Sequence, residues 1–271
     1  MKLFQAFVSA LVGGLVLSLA VGAHAQSTTK QYATIVRIEG EARYSPGDNV
    51  WHPLTVGQTL GPGNVIQTAA NSRVDMVLGD KVTSRIVPAP DKVGPATDSN
   101  VRGMISYKAK SEQNVIRMES DTVLAIDKLL ISNMGADAVS DTELDLRKGS
   151  IFGNVKKLSA ASQFLIKTPN GIAGVRGTTF SLSVDPTTAA TLAQVLAGSL
   201  VVSETTSNGT TTKVVNSMQA LDALGQIINL PQQAIDFLES ESTFTVTIVQ
   251  GVISFANDKS TVVISPTSTN K

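Results

Sequence analysis

The sequence contains no cysteine. That removes a disulfide framework, a thiolate metal site, a cysteine nucleophile and covalent haem attachment. Histidine is nearly as scarce, with two copies in 271 residues, and tryptophan occurs once. Neither sign of charge is in excess: 22 Lys and Arg face 22 Asp and Glu. A surface devoted to nucleic-acid phosphates needs a basic surplus, so no nucleic-acid partner is expected. Only 16% of residues are charged, against 42% hydrophobic. A chain of this length and polarity can enclose one large β core or two small ones.

One long apolar stretch is present, Ala6–Gly22, preceded by Lys2 and followed by Ala23-His24-Ala25. A positive start, an apolar middle and a small-x-small exit predict a secretory signal peptide over residues 1–25, cut after Ala25. The mature chain is then periplasmic or extracellular. After Gln26 nothing approaches the ~18 uninterrupted apolar residues of a membrane span, so none is expected in the mature chain.

The mature chain reads as mainly β: a layered β-sandwich or β-solenoid-like domain of short strands with one C-terminal helix. Tyr32–Ile38, Asn114–Glu119, Thr122–Leu130, Glu143–Leu146, Gln163–Lys167, Thr179–Val184, Leu200–Glu204, Thr243–Val249 and Thr261–Ser265 are rich in Val, Ile, Leu and Thr. Most alternate apolar and polar residues between turn signals such as Ser45-Pro46-Gly47-Asp48 and Thr168-Pro169-Asn170-Gly171. Four segments share a glycine between two apolar strand halves, at Gly40, Gly149, Gly198 and Gly251. A glycine so placed lets a strand bend while both halves keep facing the core, which predicts equivalent corners of a layered sheet.

Two regions depart from this pattern. Residues 85–113, with Pro88, Pro90 and Gly94-Pro95, read as an inserted loop carrying a short strand at Met104–Tyr107. Residues 217–239 are the best helical stretch, with Pro231 suited to a first turn and Ala234, Ile235 and Leu238 on one face. Thr205–Thr212 reads as an exposed turn, and Asp236, Glu239 and Glu241 as the wet side of the helix. The expected organisation is a signal peptide at 1–25, a β domain at 30–215 interrupted by 85–113, and an extension at 216–271 built as a helix then a β-hairpin.

Three stretches resemble the FecR-type periplasmic domain. They are Ile35–Asp80 with its Trp51-His-Pro-Leu54 segment, Glu143–Val155, and Phe164–Phe180. The last holds Thr168-Pro169, then Gly171, then Gly174-Val175-Arg176-Gly177-Thr178 and an aromatic, and is the most specific of the three. The resemblance spans Val36–Ser203. It implies a non-enzymatic β domain outside the cytoplasm, of the kind that in its family senses a loaded siderophore receptor and controls a sigma factor. Only Met1 and Lys2 precede Leu3 here, so the cytoplasmic anti-sigma region of that plan is not expected.

Candidate sites are few. Gly171, Gly174 and Gly177 lack the helix and the Lys-Ser/Thr pair of a phosphate loop, and Thr178–Val184 alternates like a strand. The motif Thr168, Pro169, Gly171, Gly174, Arg176, Gly177 and Thr178 therefore reads as structural, with the Arg176 guanidinium expected on a carboxylate or on backbone carbonyls. Asp141, Glu143 and Asp145 project from one strand face and form a weak Ca²⁺ candidate, with a solvated face as the simpler reading. His52 has no histidine, cysteine or Gly-x-Ser-x-Gly elbow to work with. No enzyme activity and no cofactor are expected. The expected role is an envelope binding or scaffolding module whose partner is an envelope protein or surface polymer. The alternatives are a surface protein that assembles through strand edges and an iron-signalling component; a hydrolase built on two carboxylates is a third.

Overall fold

In the computed structural model, residues 28–79, 85–87, 104–107, 114–134, 137–207, 209–242, 245–249, 252–257 and 260–264 are described. The expected signal peptide, Gly251 and most of the 85–113 segment lie outside them. The strands follow in chain order as β1 Thr28–Lys30, β2 Tyr32–Glu39, β3 Ala42–Ser45, β4 His52–Pro53, β5 Thr59–Leu60, β6 Val65–Thr68 and β7 Arg73–Gly79. Next come β8 Arg85–Val87, β9 Met104–Tyr107, β10 Asn114–Met118, β11 Val123–Met134, β12 Asp137–Asn154, β13 Gln163–Thr168 and β14 Gly171–Val184. The rest are β15 Thr191–Thr206, β16 Gly209–Asn216, β17 Gln219–Leu221, β18 Ile227–Asn229, the helix α1 Gln232–Ser242, and β19 Thr245–Val249, β20 Val252–Asn257 and β21 Ser260–Ile264.

Sixteen strands form one sheet, antiparallel except where β12 runs parallel to β13. Four of them are long, and the long ones change neighbours halfway. The first part of β12 pairs with β11 and β13, and its second part with β10 and β14. Strand β15 pairs with β16 over Ser199–Thr206 and with β17 over Ala193–Val195. The sheet is thereby folded over on itself into two layers. One contains β18, β17, β10, β7, β2, β5 and the bent halves of β15, β14 and β12. The other contains β16, β13, β11, β1, β6, β3, β4 and the opposite halves.

One core lies between the layers, joining Ile35, Met76, Ile116, Ile151, Phe180 and Val195 to Ile66, Leu124, Leu146, Phe164, Val175 and Leu200. All of these alternate with outward residues along their strands, as the period of two requires. The expectation of a layered, mainly β fold with one helix holds. The strands are longer than expected: Glu143–Leu146 and Thr179–Val184 are parts of much longer strands, because a bend at glycine does not end the ladder.

The bends align along one seam. Gly40, Gly149 and Gly198 have φ of +73°, +88° and +86°. Opposite each lies a second residue with positive φ followed by a buried hydroxyl: Asn71-Ser72, Asp121-Thr122 and Gly177-Thr178. The close approach at Gly149 is to the facing backbone. A Cβ there would stand 2.6 Å from the Thr122 Cα. Thr122 Oγ1 accepts the Ser150 N–H at 3.0 Å, so the hydroxyl restores a backbone partner that the bend takes away. Ser72 Oγ accepts the Glu41 N–H, and Thr178 Oγ1 donates to the Ser199 carbonyl. The corner reading of the glycines holds at three positions.

The C-terminal region differs from expectation. Residues 217–231 hold two short strands and turns in place of helix, because Gln219–Leu221 continues the ladder on β15 and Ile227–Asn229 pairs back on it. The helix starts only after Pro231, whose carbonyl accepts from Ala234 and Ile235. Ile235 and Leu238 pack with Phe152, Ala220 and Leu230 on the outer face of the first layer. The described parts of the inserted segment, β8 and β9, join β19, β20 and β21 in a separate five-stranded sheet.

Candidate interaction surface

Polar chemistry concentrates in three regions outside the core, of which the first is buried. A single register row crosses the first layer from Arg37 to Asp75, Arg117, Phe152, Ser181, Gln194, Ala220 and Ile228. These side chains point away from the core; α1 packs over Phe152 and Ala220, its Glu241 reaches Arg117, and Ile228 at the end of the row is exposed. Asp75 is fully buried and takes a forked pair from Arg117, with Nε at 2.6 Å and Nη2 at 3.0 Å. Arg37 Nε lies 3.8 Å from the same carboxylate, and its Nη2 meets Glu39. Burial pushes the Arg37 guanidinium below its ordinary value, while Asp75 and Glu39 oppose that shift. At the end of α1, Glu241 reaches Arg117 and, at 3.9 Å, Arg73. Glu241 is therefore not on the wet side of the helix. It ties the helix to the sheet.

The second region is the acidic strand face. Asp141, Glu143 and Asp145 share it as expected, and each faces a cation. Lys128 Nζ lies 3.1 Å from Asp141, Lys167 bonds Glu143 and sits 3.1 Å from Asp127, and Arg147 bonds Asp145 at 2.8 Å. Among the described residues no cluster of His, Asp and Glu is arranged to hold a metal. The hydrogen bond from Lys167 holds the Glu143 carboxyl below its ordinary range, with the charges of Lys167 and Lys128 adding to it. A group with a depressed native pKa adds stability above its unfolded pKa, and that stability is lost as pH falls through the native value. Glu143→Gln is therefore expected to flatten the fall in melting temperature on acidification below about 4.5. An unchanged acid limb would show that the ladder contributes nothing measurable.

The family-type motif is spread along β13, β14 and their turn. Thr168 Oγ1 bonds Thr191 Oγ1 at 2.8 Å, and Pro169-Asn170 form the two-residue turn. Gly171 runs so close to β15 that a Cβ would stand 2.2 Å from the Ser203 carbonyl oxygen. Gly174 lies in the strand, Gly177 has φ of +64°, and Thr178 closes the seam. Arg176 is exposed, and no hydrogen bond or ion pair is found for it among the described residues. The expected anchoring contact is not made, because the strand period turns Arg176 outward beside Ser199.

His52 lies exposed with its ring 5.5 Å from Tyr44, and Arg43 stacks over Trp51 at 4.5 Å. Gln67 Oε1 accepts from both Nε and Nη2 of Arg43. Arg43, Trp51, His52 and Gln67 line an open groove of about 650 Å³, together with Leu54 and Thr68.

The third region was expected to be a turn. Residues 205–212 instead belong to the hairpin of β15 and β16, which turns between Thr206 and Gly209. Threonine is β-branched and suits a strand, so a Thr-Ser-Asn-Gly composition does not by itself specify a turn. Strand β16 pairs only with β15 among the described residues and forms the rim of the second layer. Thr206 faces Gly209 across the tight turn, and pairs along an antiparallel ladder alternate between hydrogen-bonded and non-hydrogen-bonded. Thr210, Thr212 and Val214 fall on the non-hydrogen-bonded positions. The close hydroxyl pairs Thr205–Thr210 at 3.0 Å and Ser203–Thr212 at 2.9 Å fit the shorter spacing there. Their backbone N–H and C=O groups consequently point off the sheet, and all three residues are exposed.

No curated protein matches the chain. Two crystal structures of a "putative anti-sigma factor" from Parabacteroides distasonis ATCC 8503 resemble it at 14% identity and a TM-score of 0.35. The likeness covers 47% of this chain and 56% of that protein. The model of the FecR protein family matches residues 96–201. This match is shorter than the Val36–Ser203 resemblance: it leaves out the Ile35–Asp80 opening and begins inside the segment expected to be an insertion. It does include the Gly174–Thr178 motif, the Gly149 and Gly198 bends and most of β15. Over residues 96–201 the chain is similar to the FecR family.

Proposed function

We propose that the protein is an exported, non-enzymatic FecR-type binding module of the cell envelope that takes its partner through the open edge of β16. The observation that carries this reading is the row of outward backbone groups at Thr210, Thr212 and Val214. An unpaired strand edge is a template for another strand, and natural edges are usually blunted by proline, a bulge, a charge or a covering element. Strand β16 has no proline, and its ladder with β15 runs without a register break. Its single charge, Lys213, is turned across the mouth of the sandwich to the Gly225 carbonyl. The likeness of residues 96–201 to the FecR family supports a signalling or binding role over catalysis. Export follows from the reading of residues 1–25.

The test is affinity capture of the tagged full-length chain from crosslinked envelopes of its native host. Thr212→Pro removes an outward N–H without touching the ladder to β15. The expected result is a specific envelope component whose recovery falls at least about tenfold in the variant, while the melting temperature stays near that of the parent. Equal recovery by both proteins would end the edge reading.

A further inference from the structure

We infer that the occupant of the β16 edge is a second copy of β16, paired antiparallel across a twofold axis at Thr212. This rests on the edge reading above and names its partner. The argument is one of register. Directly opposed residues in an antiparallel pair lie on the same side of the sheet, so a strand pairs with its own copy about a residue. The free groups belong to Thr210, Thr212 and Val214, while the Asn216 N–H is already bonded to the Gln219 side chain.

Centring the axis on Thr212 sets Thr212 against Thr212 and Thr210 against Val214, all of them hydrogen-bonding positions. Each such pair exchanges two bonds, so every free N–H and C=O of the three residues finds a partner. Centring on Thr211 pairs Thr210 with Thr212 and leaves Val214 with nothing. Centring on Lys213 places two lysines face to face, which is destabilising. The Thr212 register instead sets Lys213 against Thr211. It also brings two β-branched residues together at every outward pair, and these favour a pleated surface. Val214, 49% exposed on its own, gains a cross-strand neighbour.

The absence of cysteine makes the register directly measurable. In the proposed dimer the two Thr212 Cα atoms stand about 5.5 Å apart, within disulfide reach. Full-length Thr212→Cys, mildly oxidised, is expected to give a covalent dimer in high yield. Thr210→Cys, which would face Val214, is expected to give little. Thr212→Lys places two cations on the axis and is expected to raise the concentration at which half the chain is dimeric by at least about tenfold in light scattering. A chain that stays monomeric at submillimolar concentration, with no Thr212→Cys crosslink, overturns the inference. So does a stronger crosslink from Thr210→Cys than from Thr212→Cys. If the chain is monomeric but Thr212→Pro still loses its envelope component, self-pairing fails while the edge reading survives. If neither dimer nor edge-dependent capture is found, both fail.

Discussion

Asp75→Ala is expected to destabilise the protein by about 3–5 kcal/mol, a large part of a typical domain's total. Asp75 is completely enclosed, and the Arg117 fork and the nearby Arg37 both depend on it. Removing the carboxylate takes the central counter-charge from two guanidinium groups, 5% and 3% exposed, and leaves them Glu39 and Glu241 at the margins of the cluster. The Coulombic attraction of such a cluster offsets its own desolvation only narrowly, so the cost comes from breaking the set. Replacing Arg37, Asp75, Arg117 and Glu241 together by Met or Leu is accordingly expected to harm folding less than Asp75→Ala alone. Urea unfolding followed by circular dichroism measures both. A loss below about 1 kcal/mol for Asp75→Ala would show that water reaches the arginines and that α1 does not seal them.

The second large effect is expected at the seam. Gly149→Ala combines two costs. The first is the left-handed backbone at φ of +88°, about 1–2 kcal/mol for an L-residue. The second is overlap of the new methyl with the Thr122 backbone, whose Cα would lie 2.6 Å away. Overpacking of this kind adds about 1–3 kcal/mol. Gly57→Ala separates the two, because Gly57 has φ of +85° with nothing within 4 Å of the added carbon. The expected result is a clearly larger loss at Gly149 than at Gly57 in the same denaturation assay. Equal losses would mean that the facing turn yields and that the bend does not depend on close contact.

The glycine half of each bend was legible in the sequence because it is local: apolar residues on both sides of one glycine describe a strand that must turn without leaving the core. The other half was not. Ser72, Thr122 and Thr178 meet Gly40, Gly149 and Gly198 only through the fold, and a hydroxyl after Asn, Asp or Gly looks like any turn. The buried charge row carried a faint signal. Val36-Arg37-Ile38, Val74-Asp75-Met76 and Ile116-Arg117-Met118 each set one charge between apolar neighbours. Alternation assigns those charges to the outer face, and an outer face is taken as wet until something is known to cover it. The cover is α1, more than a hundred residues further on. The β16 edge was misjudged for a chemical reason, since threonine serves turns and strands alike and only the partner Leu200–Thr206 decides between them.

The strands that pass through the seam have a kinetic consequence. Each of β12, β14 and β15 contributes one half to either layer, so neither layer can be completed before the other has begun. Several of the pairings that complete the layers join distant positions, such as Ile35 with Met76 and Ile116 with Gly153. Loop closure over such separations precedes any reward from contact, and chains of this topology reach the native state in milliseconds to seconds. During that interval β16 is tethered to β15 by a two-residue turn and is among the earliest hairpins able to form. An incompletely folded chain would therefore already display its open rim.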